Sequence, residues 1–203
     1  MCSRYELHGT FEEIELRFNI PTQPENNINF NGLEEIRPTD KVPIITNENK
    51  LTYMQWGLSV DWNNRPIINA RSETIDQKET FKAILHNRCV IPATAYFEWR
   101  KDGALKIKTR IYQQERKIIS FAGLFLENKF TIITCKPSPS IAHIHNRMPV
   151  ILDHAHEAVW LSPDNQFDTV ASLLKTKQNS SVKNNEIPQP PRKPNRQRDL
   201  FNQ

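Results

Sequence analysis

The sequence predicts an α+β fold, with a distorted antiparallel β-barrel or sheet as the core and helices at both ends. Between residues 88 and 135, apolar strand-like runs alternate with short polar turns, and short connections favour antiparallel pairing. Segments with helical spacing lie on either side of this region. At 203 residues, of which 37% are hydrophobic, the chain is long enough for one domain with a buried core.

The first part of the chain predicts one helix and two strands. Thr10-Phe-Glu-Glu13 is a capping box, which satisfies free N–H groups at a helix start, so FEEIELRF behind it is predicted to be helical. Residues 19–40 are rich in Asn and Pro and are predicted to form a loop. KVPIIT (41–46) and LTYMQWGLS (51–59) are predicted strands, separated by a turn that contains Asn.

The rest of the chain supplies most of the predicted sheet. Residues 62–73 are polar and turn-rich, and residues 79–88 have helical spacing. Later strands are predicted at 88–100 (interrupted at Pro92), 105–113, 117–126 and 129–135, and later helices at 156–161 and 167–175.

Charge and composition divide the chain into two predicted regions, a domain at 1–175 and a flexible, basic, Pro- and Asn-rich tail at 176–203. The tail holds six basic and two acidic residues, which accounts for the whole net charge of +4. Its composition cannot bury enough apolar surface to fold alone. The body is formally neutral, so any phosphate-binding site there must be a local basic cluster.

Several classes of protein are disfavoured. No apolar run approaches 18 residues, and the N-terminus is polar from Ser3 onward, so neither a membrane span nor a signal peptide is predicted. The three cysteines form no CxxC pair, which disfavours a disulfide framework or a zinc site and favours a cytoplasmic setting. Cys89 and Cys135 lie in apolar runs and are predicted to be buried.

Cys2 is unusual because removal of Met1 would give it a free α-amine beside its thiol. The reference pKa values, about 7.7–8.0 for the amine and about 8.5 for the thiol, leave part of each group nucleophilic near neutral pH. Such an aminothiol can condense with an aldehyde to form a thiazolidine. It can alternatively transfer acyl groups as an N-terminal nucleophile, with the amine as its own base.

Other polar residues stand out in apolar or extended surroundings. Glu98 lies between Phe97 and Trp99, either on a solvent face or in a partly dry pocket that would suit it for proton transfer. His143 and His145 alternate, as two metal ligands on one strand face would, but no further ligand follows at suitable spacing, and His145 is equally a candidate acid or base or a structural residue.

An amide and a guanidinium also recur at a spacing that suits an anion. Asn69 and Arg71 are two residues apart and share a face in an extended segment, which suits phosphate and sugar groups. Arg4 lies close enough to Cys2 in sequence to contact the same anion.

Together these stretches resemble the SRAP family, the SOS response-associated peptidase domain, over roughly residues 1 to 175. The matching motifs, in chain order, are MCSRY at the start, WGLSVDW (56–62), INARSET (68–74), RCVIPATAYFEW (88–99), FTIITC (130–135) and HNRMPVIL (145–152).

The resemblance implies an enzyme that recognises abasic sites in single-stranded DNA and crosslinks to them through Cys2. It implies that Asn69 holds the linkage, that Glu98 assists proton transfers and that His145 acts on the sugar during ring opening. It further implies DNA-binding roles for residues that would grip phosphates, stack on bases or lie beside the site: Arg4, Trp56, Trp62, Arg71, Thr134 and Arg147.

The sequence also leaves alternative functions open and suggests a protein partner. A peptidase that uses Cys2 and a non-catalytic single-stranded DNA-binding module remain as alternatives. Gln197–Phe201 resembles the pentapeptide that binds the bacterial sliding clamp, which suggests tethering to the replication machinery. We expect a monomer associated with the nucleoid, without metal or cofactor.

Overall fold

Five strands close into a barrel in the computed structural model, with sheet neighbours in the order β12, β4, β3, β8, β11 and back to β12. They are β3 (Lys41–Thr46), β4 (Leu51–Trp56), β8 (Arg88–Ala93), β11 (Ile119–Leu126) and β12 (Lys129–Cys135). Pairing around the barrel is antiparallel except between β4 and β12, which are parallel. This confirms the predicted α+β fold with a distorted, mainly antiparallel barrel. The structure describes residues 2–21, 32–115, 117–176 and 182–188.

A second sheet of five strands brings the N-terminus next to the barrel, in the order β15, β10, β9, β1, β2. Its strands are β1 (Tyr5–Leu7), β2 (Leu33–Ile36), β9 (Ala95–Asp102), β10 (Leu105–Gln113) and β15 (Val182–Glu186). Only one residue separates β8 of the barrel from β9, so the two sheets are directly connected. Because β1 pairs with β9, the first residues of the chain are held beside the middle of the sequence.

Short strands complete the sheets. β5 (Leu58–Val60) and β6 (Asn63–Ile67) form a hairpin, and β7 (Asn69–Arg71) runs parallel to β12. β13 (Met148–Pro149) pairs with β12, and β14 (Ile151–Leu152) pairs with β11. The predicted turn-rich segment at 62–73 therefore contributes two strands, one of which carries candidate site residues.

Gly57 separates β4 from β5 and allows the predicted strand at 51–59 to break. Its φ is +120°, and a Cβ at this position would lie 2.6 Å from the Pro66 side chain. Only glycine adopts that conformation without strain, so the break is encoded locally.

Four α-helices and one 3-10 helix are described: α1 (Phe11–Phe18), α2 (Glu79–Lys82), α3 (His154–Leu161), α4 (Phe167–Val170) and the 3-10 helix (Ala171–Leu174). The predicted capping box is present, since Thr10 Oγ1 accepts from the Glu13 backbone N–H and Glu13 Oε2 accepts from the Thr10 N–H. The helix predicted over residues 79–88 is a single turn followed by non-helical turns. No helix in the described ranges has the length and apolar character needed to cross a membrane.

Other sequence expectations also require correction. β15 lies inside the segment predicted to be a flexible tail, and its Val182 is buried, so the folded domain reaches at least residue 186. The tail segment did not need to form a core of its own, because it adds an edge strand to β10. The break predicted at Pro92 occurs instead after Ala93; Pro92 lies within β8, opposite Ser120.

Candidate active site

Cys2 is completely buried at the junction of the two sheets, just before β1. Asn69 Nδ2 donates a 2.8 Å hydrogen bond to the Cys2 carbonyl oxygen. Asn69 reaches this position because β7 pairs in parallel with β12, opposite Ile132. The other amide atom of Asn69, Oδ1, is buried and accepts no hydrogen bond within the described ranges. Asn69 therefore fixes the Cys2 backbone through its Nδ2 donor and leaves its Oδ1 atom as a buried acceptor beside Cys2.

Burial sets the chemistry of the Cys2 thiol. It raises the pKa of the thiol, and the neighbouring carboxylate of Glu98 raises that pKa further. The thiol is therefore protonated at neutral pH and needs a base before it can attack. The Sγ atom lies 3.9 Å from the Arg4 carbonyl oxygen, a weak hydrogen bond that orients the thiol.

Glu98 occupies a partly dry pocket, one of the two positions that its apolar neighbours left open. It lies in the middle of β9, opposite Thr109 of β10, and is only 3% exposed. Burial raises the pKa of the Glu98 carboxyl from its usual 4.5 to about 7. At neutral pH the group is thus poised to give up and take back a proton.

His145 completes a compact acid–base group. Its Nδ1 lies 3.7 Å from Glu98 Oε1 and accepts a 3.0 Å hydrogen bond from the Arg147 backbone N–H. The same Nδ1 lies 3.2 Å from the Arg147 carbonyl oxygen, so the neutral ring bonds to the Arg147 backbone with its hydrogen on either nitrogen. Burial lowers the pKa of His145, which favours this neutral form.

The turn that carries His145 differs from the predicted extended segment. Residues 139–144 form turns, and His143 is exposed, so the two histidines do not share a strand face. Among the described residues there is no cluster of three or more His, Cys, Asp or Glu side chains that would hold a metal ion.

Arg147 lies beside the acid–base group and is tied down by several acceptors. Its Nη1 and Nη2 donate to the two carboxylate oxygens of Glu73 at 2.7 and 2.9 Å, and Nη2 also donates to the Thr134 carbonyl at 2.6 Å. Thr134 is completely buried, and its hydroxyl bonds to the Ala70 carbonyl and the Arg147 guanidinium. Thr134 therefore positions Arg147 from inside the protein, and its expected role beside the DNA stays a prediction.

The other two candidate arginines differ from each other. Arg4 Nε donates to Glu35 Oε1 at 3.2 Å, and Arg4 Nη1 donates to the Ser3 carbonyl. Arg71 is exposed on β7 and forms no ion pair within the described ranges. Each predicted arginine follows a candidate catalytic residue by two positions: Arg4 follows Cys2, Arg71 follows Asn69 and Arg147 follows His145. Of the three, Arg71 is the one whose charge is not neutralised by a described carboxylate.

The two candidate tryptophans have opposite environments. Trp56 is fully buried, donates from Nε1 to the Ile68 carbonyl at 2.9 Å and stacks on Phe130. The ring is part of the barrel core, which is the alternative to base stacking that the sequence leaves open for either tryptophan. Trp62 is 70% exposed between β5 and β6, where a base can reach it.

Sequence reasoning missed the two carboxylates that pair with the arginines. Glu73 is part of the INARSE segment, and its spacing of two from Arg71 gave no sign that it would pair with Arg147. Glu35 lies in a segment predicted to be a loop, which in fact contains β2. Both pairings connect residues far apart in sequence, so no local pattern indicates them.

Known proteins share both the sequence pattern and the fold. The family model "SOS response associated peptidase (SRAP)" matches residues 1–190. The abasic site processing protein YoaM of Bacillus subtilis is 34% identical over 201 residues, covering 86% of this chain and 85% of that protein. The abasic site processing protein YedK of Escherichia coli is 26% identical, covering 79% of each.

A solved structure from Bacteroides thetaiotaomicron superimposes with a TM-score of 0.83 at 27% identity, covering 92% of both chains. The family match spans nearly every described residue, including Cys2, Asn69, Glu98 and His145. The chain belongs to the SOS response-associated peptidase (SRAP) family.

Proposed function

We propose that this protein processes abasic sites by forming a covalent thiazolidine crosslink between Cys2 and the sugar aldehyde in single-stranded DNA. The observation that supports this most is the buried Cys2 beside a carboxyl of pKa about 7 and a neutral histidine. The names of the curated relatives, abasic site processing proteins, support the same substrate. The reaction requires that Met1 be removed.

Capture begins when the sugar ring opens to expose an aldehyde. His145, whose neutral ring is held by the Arg147 backbone, acts on the sugar hydroxyl and ring oxygen in this step. The α-amine nitrogen of Cys2 then attacks the aldehyde carbon and forms a carbinolamine. Asn69 keeps the Cys2 backbone in place through its hydrogen bond to the carbonyl oxygen.

Glu98 supplies and recovers the protons of the remaining steps. Its neutral form protonates the carbinolamine hydroxyl, which leaves as water as the carbon–nitrogen double bond of the Schiff base forms. The resulting carboxylate accepts the thiol proton of Cys2, and the sulfur adds to the imine carbon while the imine electron pair moves to nitrogen. The thiazolidine is closed with loss of one water in total, and Glu98 is again neutral.

One denaturing gel tests this proposal against its alternatives. Purified protein is mixed with a single-stranded oligonucleotide that carries one abasic site, and a shifted band is expected for the wild type. Cys2→Ala should abolish the thiazolidine, although its new N-terminal amine still permits a Schiff base that borohydride traps. Cys135→Ala removes a different thiol and should crosslink normally.

An N-terminal extension gives the decisive control for the free amine. A variant that retains residues before Cys2 has no α-amine on the residue that carries the thiol, so it cannot close the thiazolidine and should give no band unless borohydride is added. A crosslink from the extended protein without borohydride would refute the mechanism. If the wild type gives no band but cleaves peptides in a Cys2-dependent way, a peptidase is favoured; a salt-sensitive shift only on a native gel favours a binding module.

A further inference from the structure

Two of the three arginines expected to contact phosphates are already paired with carboxylates of the protein itself. Arg147 pairs with Glu73, and Arg4 pairs with Glu35. Neither carboxylate belongs to the acid–base group around Cys2. Their presence in a region expected to bind a polyanion needs a physical reason, because a carboxylate repels phosphate.

The Arg147–Glu73 pair has the geometry with which a guanidinium binds a phosphate. Two parallel N–H groups reach two oxygens at 2.7 and 2.9 Å. The Glu73 side chain is 38% exposed, whereas that of Arg147 is only 12% exposed. The carboxylate thus lies on the solvent side of a guanidinium that the Thr134 carbonyl holds from within.

Glu35 likewise pairs with Arg4, although here the two side chains are about equally exposed, at 27% and 28%. Its Oε1 atom lies 3.2 Å from Arg4 Nε and 3.2 Å from Arg37 Nη2, and its Oε2 atom accepts from Lys108 Nζ. One carboxylate is therefore shared by three cations, which leaves the cluster with a formal charge of +2. The hydrogen bond from Lys108 and the charges of Lys108, Arg37 and Arg4 hold the pKa of Glu35 below its usual value. The side chain of Glu35 is 27% exposed, so solvent reaches this cluster.

We propose that Glu73 and Glu35 occupy, in the free protein, the cationic positions that DNA phosphates take on binding, and so weaken binding to undamaged single-stranded DNA. This specificity role rests on the proposed function. A cation already neutralised by its own carboxylate gains little when a phosphate replaces that carboxylate, because one anion is exchanged for another. Retention on damaged DNA would then come from the covalent bond.

The effect is measured as binding of a fluorescein-labelled, undamaged single-stranded oligonucleotide by fluorescence anisotropy at several salt concentrations. Glu73→Gln and Glu35→Gln remove the charge and keep the shape. Each should tighten binding about two- to five-fold, the range expected for breaking an exposed ion pair. Each should also steepen the salt dependence of log K, by about 0.7 for every cation released.

Glu48→Gln is the matched control. It removes the same charge from the Lys50 ion pair in the turn between β3 and β4 and should change binding less than either test variant. Thermal melting identifies which variants are folded, and because Glu73 and Glu35 pair with different arginines, each variant is a separate test. Unchanged or weaker binding by the folded variants would overturn the inference, since the carboxylates would then be supports that orient the arginines.

The same proteins distinguish this inference from the proposed function. If the wild type does not crosslink an abasic oligonucleotide, the proposed function fails, but tighter binding by Glu73→Gln still supports the carboxylate role. If the wild type crosslinks and both variants bind undamaged DNA as the wild type does, only the inference fails.

Discussion

At the scale of single residues, burial decides how Cys2 and Glu98 react. Removing a thiol or a carboxyl from water favours its neutral form, so the pKa of each group is raised. A protonated thiol is a poor nucleophile until a base accepts its proton. Glu98, with a pKa of about 7, is acidic enough to protonate a leaving hydroxyl. Once ionised, it is basic enough to accept the thiol proton.

Glu98 should make the protein less stable as the pH rises. Its pKa is 4.5 in the unfolded reference and about 7 when folded, so between these values the folded state keeps a proton that the unfolded state has released. The free energy of unfolding therefore falls through this window, by about 3 kcal/mol in total. Glu98→Gln has no carboxyl proton to lose in this window. Its free energy of unfolding minus that of the wild type should therefore rise from pH 4.5 to pH 7.

Urea denaturation at several pH values measures this difference, with exposed Glu79→Gln as the control. Parallel pH profiles for wild type and Glu98→Gln would contradict the prediction.

The same variant should form the crosslink about 100-fold more slowly at pH 7, the usual size of a general acid–base contribution. Normal rates of formation and reversal would remove Glu98 from the mechanism.

At the scale of secondary-structure elements, α3 is held against the barrel by two buried charges. Glu157 accepts hydrogen bonds from Arg17 of α1 and from Ser120 of β11, which together with His154 hold the pKa of Glu157 below its usual value despite burial. Arg88 of β8 reaches the other end of the helix. Its guanidinium donates to the carbonyls of Leu85, Trp160, Ser162 and Asn165.

Arg88→Met should destabilise the protein by about 3 kcal/mol or more. Methionine fills much of the space but donates no hydrogen bond, so the buried carbonyls at the end of α3 lose a charged donor. Arg65→Met, at an exposed position on β6, is the control and should change stability by less than about 0.5 kcal/mol. Chemical denaturation measures both, and wild-type stability of Arg88→Met would show that water replaces the guanidinium.

The elements that were predicted well are those whose own residues carry the pattern that indicates a helix or a strand. The capping box at Thr10 and the apolar runs of β10, β11 and β12 carry their own signals. The short strands β7 and β15 do not, because they are stabilised by pairing with distant partners. The same limit applied to the site. The motifs indicated Cys2 and Glu98, but only the folded chain shows Glu73 on Arg147 and places Trp56 in the core.

At the scale of the whole molecule, charge is distributed unevenly between the body and the end of the chain. Residues 1–175 are formally neutral, and the segment from 176 onward carries the net charge of +4. Part of that segment is structural, since β15 joins the second sheet. Under the proposed function the body attracts DNA only locally, and an interaction outside the body would help to deliver it to its substrate.

The segment Gln197–Phe201, which lies outside the described residues, predicts one such interaction. We propose that it docks on the bacterial sliding clamp and so concentrates the protein where single-stranded DNA is exposed during replication. The structure describes the chain as far as residue 188, and the intervening residues span at most about 30 Å. Binding of this segment to the clamp would raise the local concentration of the domain there.

Replacement of both Leu200 and Phe201 by Ala removes the apolar pair that such a motif inserts into a groove. We expect loss of capture by immobilised clamp and unchanged crosslinking of a free abasic oligonucleotide, because the second sheet and the site around Cys2 remain intact. Alanine at both Asn202 and Gln203, immediately after the motif, should retain clamp binding. Equal capture of all three proteins would show that the segment does not bind the clamp, and reduced crosslinking of the free oligonucleotide would place these residues at the DNA site.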